Sequence, residues 1–160
     1  MSVWWSLQLR REAASVPLAR RLLLGALESA GVDDEIAYEL SVALTEACAN
    51  AVEHGARVSD GSQDAFRVTA YLHGDRCRIE VADSGPGFRG RPSRLARRAR
   101  ALLPADRSRE AECGRGLYMI ESLTDHVRTH DRPGRGGAVV SFDKTLKWQE
   151  NGDRSLLKAG

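Results

Sequence analysis

Glu46, Asn50 and His54 recur every four residues in ELSVALTEACANAVEHG, and at about 3.6 residues per turn they form one polar stripe on a helix. Ile36, Leu40, Ala43, Leu44, Ala47 and Ala51 make the apolar stripe of the same helix. Projected at about 100° per residue, Glu46 lies roughly 80° to one side of Ile36, Asn50 roughly 40°, and His54 almost on it. The polar stripe therefore runs into the buried face instead of opposing it. A buried carboxylate or amide without a partner is costly, so something must meet these groups. A hydrogen-bonded helix edge and a ligand site at the rim of the core both satisfy that demand, and the rest of the chain has to choose.

The 160 residues suffice for one domain with a real core, expected over residues 1–148 with a disordered tail over 149–160. No run approaches the length of a membrane span. The opening MSVWWSLQLRR has no charged leader before an apolar run and does not read as a signal peptide. Cys48, Cys77 and Cys113 are odd in number and widely spaced, which suits reduced thiols in a cytoplasm, and no Cys/His cluster has zinc spacing. Charge is uneven. Residues 89–109 hold eight arginines against Asp106, a local +7, so the remaining residues carry −5 of a net +2. The run lacks aromatic interleaving, and an anionic ligand or acidic partner accounts for it without direct nucleic-acid binding.

Val3 to Arg10 alternates as a first strand with Trp5, Leu7 and Leu9 on one face. Ser15 is placed to cap a first helix with Pro17 in its first turn and Gly31 at its end. Asp33 or Asp34 opens the helix with the polar stripe, which stops at Gly55. Strands follow at Phe66–His73 and Cys77–Val81 around Gly74-Asp75, then a third helix over 114–125 with Leu117, Ile120 and Leu123 inward. Two last strands, 126–131 and 138–146, flank PGRGG. Helices segregated from a hairpin-rich sheet predict an α+β, two-layer domain.

Two further anchors accompany the stripe. Asp83 continues the period of Cys77, Ile79 and Val81, so its carboxylate faces inward at a strand end, just before Ser84-Gly85-Pro86-Gly87. It reads either as a turn-initiating Asp or as an acceptor for an amino group such as that of adenine. Gly114-Arg115-Gly116-Leu117 opens the last helix in this reading, where exposed N–H groups suit phosphate.

With these elements in this order, the chain resembles the GHKL-type ATP-binding domain (Bergerat fold), and in particular the small bacterial anti-sigma factor serine kinases. TEACANAVEHG matches the family's N box, DSGPGF its first glycine box and GRGLYMI its second. The resemblance implies a two-layer α/β sandwich with a mixed sheet of about five strands, three main helices and an ATP lid over about 86–113. It implies ATP and Mg²⁺ as cofactors, with Asn50 ligating Mg²⁺, Asp83 holding the adenine amino group and Gly85 and Gly87 flanking the lid hinge. It also implies phosphate contacts from Gly114, Arg115, Gly116 and Leu117. Glu46 matches the general base, and His54 is expected to be structural. Family members commonly have Gly-Thr at the start of the last strand, whereas this chain has Gly137-Ala138.

The function so implied is an anti-sigma factor with serine/threonine protein kinase activity toward a STAS-domain antagonist, regulating transcription through a sigma factor. A cytoplasmic homodimer is expected. The alternative is a nucleotide-binding interaction module that sequesters a partner without phosphotransfer.

Overall fold

The computed structural model describes residues 2–54, 64–83, 109–131 and 137–150. Its elements are β1 (Ser2–Arg10), α1 (Ser15–Ser29), α2 (Asp34–His54), β2 (Ala65–His73), β3 (Arg76–Ala82), α3 (Arg109–Leu123), β4 (His126–Asp131) and β5 (Ala138–Thr145). The five strands form one sheet in the order β1-β2-β3-β5-β4, and α2 packs on β3 with α1 and α3 on its flanks. This is the expected α+β, two-layer architecture.

The sheet differs in one respect from the mixed sheet expected: all its pairings are antiparallel. β3 and β4 point the same way and are joined through α3, the connection that normally yields a parallel pair. Here β5 enters between them and pairs antiparallel with both.

Alternation aims each strand's apolar set at the helices. Leu7, Val68, Val81 and Val140 make one row across the sheet, and Trp5, Ala70, Ile79, Phe142 and Val127 the next. The helices meet these rows with Ala19, Leu23 and Leu27 from α1, Leu40, Ala43, Leu44 and Ala47 from α2, and Ile120 from α3. The opposite face is open, and Trp4 lies 67% exposed beside its cross-strand partner Tyr71.

Helix ends follow from local chemistry, with one change from expectation. Ser15 is not the cap of α1. Ala14 holds that position without a side-chain hydrogen bond, and Ser15 is buried at the first helical position. At the other end Gly31 N–H donates to Glu28 O (2.9 Å) and Val32 N–H to Leu27 O (3.0 Å), the paired closure that lets a chain turn sharply out of a helix. Asp33 then caps α2, its Oδ1 accepting from the N–H groups of Glu35 (3.1 Å) and Ile36 (3.3 Å). Lys144 closes α3 by donating to Leu123 O (2.7 Å), while pairing with Glu39 of α2 (2.6 Å).

Gln149, the first residue of the tail that the sequence predicts to be disordered, is docked. Its N–H donates to Gly31 O (3.0 Å) and its Nε2 to Asp34 Oδ1 (2.8 Å), and the neighbouring Trp148 bridges to Val32. Residues 151–160 lie outside the described residues. No helix among the described residues is long and apolar enough to cross a membrane.

Candidate nucleotide site

α2 carries polar residues of two kinds. Ser41 Oγ donates to Tyr38 O (2.7 Å) and Thr45 Oγ1 to Ser41 O (2.7 Å), so these hydroxyls are satisfied by their own helix. Glu46 and Asn50 are half-buried and have no hydrogen-bond or ion-pair partner among the described residues. The hydrogen-bonded helix edge therefore does not describe them.

What meets them instead is a glycine of α3. A methyl group placed on Gly116 would lie 3.1 Å from Glu46 Oε2, 3.4 Å from Asn50 Nδ2 and 3.5 Å from Asn50 Oδ1. One point on α3 thus lies close to the polar ends of both side chains. The absence of a side chain there leaves room for both polar groups beside α3. His54 ends α2.

Asp83 forms the other centre, at the end of β3. It is 6% exposed, on the inward face that the period of Ile79 and Val81 predicts. Its N–H donates to Ala138 O (2.9 Å), and its Oδ1 accepts from Ala138 N–H (3.1 Å). The backbone of β5 thereby fixes the carboxylate's orientation. A carboxylate has about four acceptor positions, so this bond is compatible with recognition of an amino group. Gly137 precedes with φ 108, a backbone conformation in which a side chain is strained. Ala138 is buried and its methyl has no donor to offer.

The second glycine box sits differently from expectation. α3 starts at Arg109, so Gly114-Arg115-Gly116-Leu117 lies inside the helix and does not open it. The N–H groups of an interior stretch are spent on the helix itself, so Gly114 offers no free helix N-terminus. Leu117 is half-buried against the core. The expected lid over 86–113 overlaps α3 at residues 109–113; Gly85, Gly87 and the rest of it lie outside the described residues.

Arg11 escaped sequence reasoning. Its Nε donates to Asp64 Oδ1 (2.6 Å), Nη2 to Asp64 Oδ2 (3.0 Å) and Nη1 to Val52 O (2.9 Å). An arginine beside another arginine after a strand carries no signal of such a role, and its partners are distant in sequence. Among the described residues no group of three or more His, Cys, Asp or Glu is placed to hold a metal ion by itself.

A histidine kinase-like ATPase domain matches residues 9–144. This chain belongs to that family. It is 29% identical over 151 residues to the serine-protein kinase RsbW of Listeria monocytogenes, covering 91% of each chain. It is 30% identical over 131 residues to the RsbW of Bacillus pumilus, covering 79% of this chain and 78% of that one. Among solved structures, the RsbU and RsbW domains of Rv1364c from Mycobacterium tuberculosis superpose with a TM-score of 0.63 at 23% identity, over 90% of this chain and 32% of that longer one. The SiaB–SiaC complex of Pseudomonas aeruginosa gives a TM-score of 0.56 at 13% identity, over 89% of both chains. These two share the fold. The domain family is that of kinase-like ATPases, and the sequence relatives are serine-protein kinases.

Proposed function

We propose that this chain is an anti-sigma factor with serine/threonine protein kinase activity, which uses ATP and Mg²⁺ to phosphorylate a STAS-domain antagonist. The observation that carries the reading is the convergence of Glu46 and Asn50 on Gly116, with no hydrogen-bond or ion-pair partner for either among the described residues. The kinship with serine-protein kinases supports it. In this reading a sigma factor is the sequestered partner and the protein works as a cytoplasmic homodimer.

The residues divide the work. Asp83, held by Ala138 N–H, accepts the amino group of adenine. Asn50 offers an amide oxygen of the hard type that Mg²⁺ favours, and Mg²⁺ characteristically takes only one or two protein ligands beside phosphate oxygens and water. When bound, the ion neutralises phosphate charge. Gly85 and Gly87 border the lid, and Gly114, Arg115, Gly116 and Leu117 lie toward the phosphates. Glu46, one turn from Asn50, takes the proton of the acceptor hydroxyl. That oxygen bonds to the γ-phosphorus, and the bond to the bridging oxygen breaks to release ADP.

A positioned base contributes about 10²–10⁴-fold in rate, so Glu46→Gln should nearly abolish transfer to the antagonist while leaving ATP affinity and partner binding in place. Substantial transfer by the variant would remove Glu46 from the chemistry. The second reading, an interaction module without phosphotransfer, is favoured by Ala138, which lacks the hydroxyl common at that position. It is upheld if the unmodified protein transfers no phosphate to any STAS partner it binds.

A further inference from the structure

The end of α2 that carries Asn50 is held in place by a residue outside every motif. Arg11 N–H donates to Asp64 O (2.9 Å), which extends the β1–β2 register one pair beyond Arg10 and Ala65. Arg11 lies two residues past Leu9 and Asp64 two before Phe66. Both side chains therefore leave the sheet on its helix-facing side, one row beyond that of Leu9 and Phe66. Asp83, one residue past the Arg67–Ala82 pair, falls in the Phe66 row.

The Arg11 side chain is only 11% exposed, and the contacts of its guanidinium run in two directions. A two-pronged fork grips Asp64, and Nη1 reaches across to the carbonyl of Val52 in the last turn of α2. That carbonyl is among those a helix leaves without an intrahelical partner, and a cation at a helix C-terminus also interacts favourably with its dipole. Asp64's hydrogen bond raises the Arg11 pKa against the opposing effect of burial, and the charges of Asp64 and then Asp83 add to the rise. Arg11 thus lies within the field of the adenine-side carboxylate while bonded to the helix end two residues beyond Asn50.

We infer that Arg11 is a positioning residue of the nucleotide site, clamping the Asn50 end of α2 to the sheet end that carries Asp83. The inference rests on the nucleotide-site reading above. A ligand that spans a sheet anchor and a helix anchor binds more weakly if it must order one of them on arrival. The fork is what arginine provides and lysine does not, because a planar guanidinium engages both carboxylate oxygens while keeping a further N–H for the carbonyl.

The test is calorimetry of ATP binding to the full chain, with excess Mg²⁺ and with chelator, for the unmodified protein, Arg11→Gln and Arg11→Lys, each well below its melting temperature. Loss of a group that orients a metal ligand typically costs roughly 10–100-fold. Arg11→Gln should accordingly lose about 10-fold in Mg²⁺-dependent affinity and clearly less without metal, where Asp83 recognition remains. Arg11→Lys should fall between. Lower melting temperatures with unchanged ATP affinity in both conditions would make Arg11 a purely structural residue and overturn the inference. Should Arg11→Gln not fold, Arg11→Lys decides alone, and full Mg²⁺-dependent affinity in it overturns the inference. An unmodified protein that binds no ATP removes the nucleotide-site reading itself, and the inference with it; one that binds while both variants match it removes only the inference.

Discussion

Gly116 stands so close to Glu46 that a methyl group on it would lie 3.1 Å from Glu46 Oε2, tighter than ordinary van der Waals contact. The atom that must give way is the end of a flexible side chain, so the carboxylate moves and the helix does not. In a helix interior Ala is favoured over Gly by about 1 kcal/mol. Gly116→Ala should therefore keep or raise the melting temperature while lowering phosphotransfer about tenfold, on the order of what small misplacements of reacting groups cost. A variant that is both more stable and fully active would show that the Glu46 position is not critical.

Asp83 and Asn50 should fail in different ways. Asp83→Asn exchanges an acceptor carboxylate for an amide, and ATP binding should weaken with or without metal. Asn50→Ala should weaken chiefly the Mg²⁺-dependent part. Calorimetry that finds full ATP affinity in both would dismiss the nucleotide site.

Asp125 gives a pH-dependent contribution of known sign. Its Oδ2 accepts from Thr145 N–H (2.7 Å) and Thr145 Oγ1 (2.9 Å). The backbone bond is the foremost cause that lowers its pKa, with the hydroxyl, Lys144 and His126 adding to it against burial. A group whose folded pKa lies below its unfolded value contributes stability above the unfolded value and loses it as pH falls through the folded one. Asp125→Asn should lower the melting temperature by a few degrees at most at neutral pH, and the difference should close in acid below the ordinary aspartate range. A gap that persists there would mean the carboxylate's charge is not what stabilises the corner.

Cys48 and Cys77 are buried in the core, and desolvation pushes each thiol up to about 12. Only thiolate reacts readily. Of the three cysteines in the chain, no more than one should react promptly with a disulfide reagent at pH 8, and all three after denaturation. Rapid reaction of two or three in the native protein would contradict this core.

Periodicity alone determined that a polar stripe invades the buried face of α2, that Asp83 faces inward at a strand end, and that the chain makes a two-layer α+β domain. These are local consequences of spacing, because one residue's direction dictates that of its neighbours. The partners across space were decided only by tertiary structure. That Glu46 and Asn50 meet a glycine depends on Gly116 arriving from α3. The antiparallel sheet depends on β5 entering between β3 and β4, where helical connection alone suggests parallel strands. Gln149 is ordered because it meets the turn between α1 and α2, and polarity in the tail gave no hint of that. Arg11 is the clearest case: its role comes from Val52 and Asp64, 41 and 53 residues away. Only folding brings such distant hydrogen-bonding groups within reach, and no pattern of spacing along the chain encodes that meeting.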